Sequence, residues 1–67
     1  MLTVQGVRMA VRAIRDEQAN YDAAHCDEDS LYEKVLRAIA RGTAEDVQGC
    51  ARAALRTKTL KFARHCS

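Results

Sequence analysis

Proline and tryptophan are absent from this chain of 67 residues, and glycine occurs only three times. With nothing to break the backbone and little to loosen it, helix is favoured along most of its length. No apolar run approaches the roughly 18 residues a membrane span needs. Met1–Gly6 also lacks the basic start and apolar middle of a signal peptide. The three cysteines form no CxxC pair and read as free thiols in a reducing cytoplasm. Aromatic residues are scarce too, 4% against 48% hydrophobic residues in all, so the core must be small-chained and shallow. Below roughly 70–80 residues one core seldom supplies more than about 3–5 kcal/mol. A single domain over residues 1–67 is therefore expected, with reinforcement from metal, disulfide or a second copy to be considered.

Charge is present in quantity but segregated. The formal net charge is only +2, yet residues 1–15 hold Arg8, Arg12 and Arg15 and no acid. Residues 16–33 hold Asp16, Glu17, Asp22, Asp27, Glu28, Asp29 and Glu33 with no lysine or arginine, and the remainder is mostly basic. Such a layout suits pairing of an acidic segment with a basic face.

The clearest amphipathic stretch is Ser30–Gly42. Leu31, Tyr32, Val35, Leu36, Ala38 and Ile39 share one side of a helix, Ser30 with Glu33 has the form of a capping box, and Gly42 suits its end. Upstream, Thr3 is an N-cap candidate, and Val4, Val7, Val11 and Ile14 form a narrow seam with Arg8, Arg12 and Arg15 as a stripe beside it. Two readings of the join stay open. Either the first helix stops near Ala24 and Cys26–Asp29 is an acidic loop, or one helix runs from Thr3 to Arg41. Downstream, Thr43-Ala-Glu-Asp46 reads as a capping box for a third helix that buries Val47, Cys50, Ala51, Ala54 and Leu55 and ends near Thr57. Leu60, Phe62, Ala63 and Cys66 then make a short closing segment. A first helix of about 30 Å beside two of about 20 Å leaves Glu17–Ala24 overhanging. Either the C-terminal segment or a second copy must cover it. The expected architecture is an all-α, three-helix bundle with a short C-terminal helical segment, forming a homodimer in which Asp16, Glu17 and Asp22 meet Arg8 and Arg12 of the other copy.

Chemistry-bearing clusters are few. His25-Cys26, Cys50 and His65-Cys66 have the ligand types of a zinc site but not its spacing, since adjacent residues on a helix point about 100° apart. Asp27, Glu28 and Asp29 lack the alternate spacing of a calcium loop. No metal ligand set, cofactor or catalytic residue is assigned. Arg52, Arg56, Lys58, Lys61 and Arg64 could form a phosphate-binding patch.

The segments Ala23–Tyr32, Val35–Gly42 and Ala54–Thr57, with Phe62, Arg64 and Cys66, resemble a group of short accessory proteins encoded by bacteriophages and prophages of proteobacteria. His65 stands where that group would carry tryptophan. The resemblance implies a protein of the bacterial host cytoplasm and brings no activity with it. The expectation is an interaction protein that binds and modulates a host protein of defence or regulatory machinery, through Tyr21, His25, Glu28 and Asp29 with Arg8, Arg12 and Arg15. The alternative is a small DNA-binding regulator using the basic residues from Arg52 to Arg64.

Overall fold

The computed structural model describes residues 1–61, and within them the chain folds into three helices. These are α1 (Val4–Asp16), α2 (Tyr21–Arg41) and α3 (Val47–Leu55), the last continued by a 3-10 turn over Arg56–Thr59. The architecture is an all-α three-helix bundle. Thr3 caps α1 as the sequence suggests, its hydroxyl accepting from the Gly6 N–H at 2.9 Å. Gly42 closes α2 in the left-handed conformation, at φ 72°.

The join between α1 and α2 differs from both sequence readings. α1 ends at Asp16, and its last carbonyls are taken up by tight turns in which Glu17 N donates to Ile14 O and Gln18 N to Arg15 O. Asn20 then caps α2, its side-chain oxygen accepting from the Ala23 N–H at 3.3 Å. Asparagine is among the best N-cap residues, and Asp22 in the first turn complements the helix dipole. Residues 26–29 are therefore helical, and Ser30 and Glu33 sit in mid-helix, where no free N–H groups need capping. One buried stripe runs through α2 from Ala24 by way of Glu28, Leu31 and Val35 to Ala38. That continuity over 21 residues outweighs a local capping pattern.

Two apolar positions turn outward as a consequence. Leu36 lies about 100° around the helix from Val35 and is 66% exposed. On α3, Cys50, Ala53 and Ala54 face inward while Val47 and Leu55 face solvent. The third helix also starts later than its capping-box pattern implies. Asp46 is the cap, accepting from Gly49 N at 2.9 Å, while the Thr43 hydroxyl turns back to the Ala38 carbonyl.

The helices alternate in direction, so α1 and α3 run parallel as neighbours, both packed on α2. A parallel bridge between Leu2 and Ala44 sets their starts side by side: Leu2 N donates to Thr43 O at 2.8 Å and Glu45 N to Leu2 O at 2.9 Å. Val7 and Ile14 of α1, Leu31 and Val35 of α2 and the small residues of α3 make the core. The expected helix-length mismatch falls on a different element. α1 is about 20 Å long, and the long element is α2 at about 31 Å. After α3 the chain packs back on the bundle: Thr57 is fully buried and hydrogen-bonded with the Tyr32 hydroxyl, Leu60 packs on the core, and Lys61 N donates to Gln18 Oε1 at 3.0 Å. A first-helix overhang over Glu17–Ala24 does not form, because α1 ends at Asp16. Phe62, Ala63 and Cys66 of the expected closing segment lie outside the described residues.

Candidate functional site

On α1 the buried seam is Val7 and Ile14, and a flank turned away from it carries Val4, Val11, Arg8, Arg12 and Arg15. On α3 and the turn after it, the flank facing α1 carries Gly49, Ala53, Arg52, Arg56 and Leu60. Between these flanks lies an open groove of about 810 Å3. Among the described residues, its lining is drawn from α1, α3 and the stretch after α3, with Asp46 at one end, and α2 contributes nothing. The helices approach closely at that end, where a Cβ placed on Gly49 would lie 2.9 Å from Val4 Cγ2.

Five arginines against one aspartate give this groove more positive charge than the +2 that the whole chain nets. Asp46 is already engaged as the α3 cap. Arg15 reaches Asp16 at 3.5 Å, with both side chains more than half exposed, a pair of small energetic value. Arg8, Arg12, Arg52 and Arg56 have no carboxylate within salt-bridge distance among the described residues. Each guanidinium presents a planar fork of donors suited to carboxylate or phosphate oxygens. Val4, Val11, Ala53, Leu55 and Leu60 supply apolar surface between them, Leu55 at 58% exposure. Among the described residues, the lining holds no histidine, cysteine or serine. Such an arrangement can bind an acidic, partly apolar ligand.

The residues singled out from sequence are redistributed by this geometry. Arg8, Arg12 and Arg15 join Arg52 and Arg56 in one groove, although the sequence suggested separate roles for the two sets. Tyr21, His25, Glu28 and Asp29 do not line it. Glu28 is 2% exposed and faces the core, so it cannot meet a partner at the surface. It falls on the inward stripe of α2 because residues 26–29 are helical rather than a loop. His25 Nε2 lies 3.6 Å from Asp29 Oδ2 on the same helix, and its Nδ1 is buried without a hydrogen bond. Tyr21 is 43% exposed.

Of the other basic residues, Lys58 sits over the Tyr32 ring, 5.7 Å from its centroid, and Lys61 lies beyond the groove. Arg64 lies outside the described residues, as do His65 and Cys66. Cys26 is exposed and Cys50 buried, and no metal-binding group of three or more His, Cys, Asp or Glu occurs among the described residues. The groove's apolar floor escaped the sequence reading. The available signal was that first and third helices of an up-down-up bundle are neighbours, so two arginine stripes beside apolar seams can face one another.

Glu17, in the connection between α1 and α2, has a displaced pKa. A hydrogen bond with Asp27 is the largest cause, with burial and repulsion from the same carboxylate adding to it, and all three raise the Glu17 pKa above its ordinary 4.5. Its Oε2 is shielded from water and has no hydrogen-bond partner.

The chain is an all-α bundle with a cationic groove, and no helix among its described residues is long and apolar enough to cross a membrane. No protein-family model, no curated protein and no solved structure matched it.

Proposed function

We propose that this protein acts by binding rather than by catalysis, and that the α1–α3 groove receives an acidic segment of another protein. The convergence of Arg8, Arg12, Arg15, Arg52 and Arg56 on one apolar-floored groove carries this reading. Arginine is enriched where protein interfaces bind most tightly, because it combines an apolar stem with directed donors. The sequence resemblance to phage and prophage accessory proteins supplies the setting: a bacterial cytoplasm and a host protein of regulatory or defence machinery as the partner to be modulated.

Nucleic acid is the second reading, favoured by the same arginines. Two features weigh against it. Much of the groove wall is aliphatic, which phosphates do not use. The exposed face of the N-terminal part of α2 also carries Asp22, Asp27 and Asp29 with no lysine or arginine among them, which would repel a long polyanion there.

The test is an affinity capture from bacterial lysate with wild type and with an Arg12→Glu/Arg52→Glu variant, read by mass spectrometry. An acidic protein retained by wild type and lost from the variant is the expected result. A mobility-shift assay with random duplex runs alongside. Tight, steeply salt-dependent retention of duplex that the variant loses would replace this reading with the nucleic-acid one.

A further inference from the structure

We infer that the occupant of the groove is an amphipathic acidic α-helix of about three turns, contributed by another protein; this deepens the reading of the groove as a site for an acidic protein segment and rests on it. Length comes first. From Val4 to Arg15 the α1 wall rises about 17 Å, which is close to three turns of helix.

Backbone chemistry comes next. Both walls are helices, with their N–H and C=O groups bonded internally, so they offer no edge to an extended segment. A strand or coil pressed on Val11, Ala53 and Leu60 would leave its own amides unpaired against apolar surface. A helix brings its backbone bonds with it.

Charge spacing makes the third point. Arg8, Arg12 and Arg15 follow one another at steps of four and three, and Arg52 and Arg56 at a step of four. Carboxylates at the same steps along both flanks of a helix, with leucine-like residues between them, would meet the two rows together. α2 already packs across the other side of the α1–α3 pair. The occupant would pack on the side that α2 leaves open, turning three helices into four.

The test uses the full chain and fluorescently labelled synthetic peptides of about 12–14 residues, long enough for three turns. One peptide segregates glutamates to both flanks of a leucine stripe; a second has the same composition shuffled so that the stripe is lost. A random duplex is the third probe. Binding by fluorescence anisotropy should favour the segregated peptide by about tenfold or more over the shuffled one. Circular dichroism of the mixture should show helix gained on binding. Arg12→Gln/Arg52→Gln should weaken binding by at least about tenfold, while Lys34→Gln, outside this groove, should not. The exposed glutamine replacements leave the core intact, and the variant's own helical signal checks that.

Equal binding of the shuffled peptide would overturn the helix while leaving the acidic-segment reading in place. Binding of duplex alone would overturn both, as would failure of both peptides to bind at roughly 200 µM. A groove already filled by a second copy, seen as a dimer that the peptide cannot dissociate and the glutamine variant abolishes, would overturn the assignment to another protein.

Discussion

Replacing Gly49 by alanine should destabilise the protein, although alanine is by far the better helix former. In an exposed helix interior the change would contribute about 1 kcal/mol of stability. Here the new Cβ would sit 2.9 Å from Val4 Cγ2 and 2.7 Å from Asp46 Cγ. Valine is stiff about χ1 in a helix, so Val4 can yield only by moving α1. Such overpacking typically costs about 1–3 kcal/mol. The Asp46 carboxylate would be pushed off the Gly49 N–H it now caps, which costs about 1 kcal/mol more. The net expectation is a loss of about 1–3 kcal/mol, from a domain whose core supplies only about 3–5 kcal/mol. Urea unfolding followed by helical circular dichroism measures it, and each kcal/mol should lower Tm by about 4–8 °C. Gly6→Ala is the control. A Cβ there meets only the Thr3 hydroxyl, at 3.1 Å, so stability should be unchanged or rise by up to about 1 kcal/mol. Adding Val4→Ala to Gly49→Ala should recover part of the loss. If Gly49→Ala proved as stable as wild type, the close approach of α1 and α3 would be wrong, and the groove's narrow end with it.

Three further outcomes follow from the packing and charge. Leu31→Ala, at a site 5% exposed, should cost about 2–5 kcal/mol, whereas Leu36→Ala, at 66% exposure, should stay within about 0.5 kcal/mol in the same unfolding assay. Thr57→Val removes the partner of the Tyr32 hydroxyl and should cost about 1–3 kcal/mol; with Tyr32→Phe added, the double variant should lose less than the two single losses together. Glu17 binds its proton more tightly in the folded chain than in the unfolded one, so its contribution to stability is complete below about pH 4.5 and is lost as pH rises through the raised native value. Glu17→Gln should therefore remove a downward slope of Tm with pH across that range, and a variant with an unchanged slope would refute the assignment.

The helices were legible in the sequence because their strongest signals are local. The Val4–Ile14 seam, the Thr3 cap and the Gly42 terminus depend on residues within one or two turns. The α1–α2 break was misplaced because Ser30 with Glu33 imitates a helix start, whereas Asn20 followed by Tyr21 and Asp22 has no comparable pattern. Which competing cap wins is decided by the stripe from Ala24 to Ala38, whose inward-facing Glu28 reads as polar and hides the continuity. Leu36 was assigned to the core because apolar residues within a wide arc cannot be ranked without knowing where the neighbours sit. The arginines were recognised as stripes, but their meeting depends on α1 lying beside α3, contact between residues about 40 positions apart.

That separation has a thermodynamic consequence. A hairpin of α1 and α2 alone would not contain the groove, since one of its two walls is α3 and the turn after it. Whatever occupies the groove therefore binds only the completely folded chain, and its binding is added to folding stability by mass action. At a ligand concentration one hundred times Kd this amounts to about 2.7 kcal/mol. For a domain of this size the gain rivals the contribution of its core, so saturating ligand would raise Tm and slow hydrogen exchange at amides far from the groove, including those of α2.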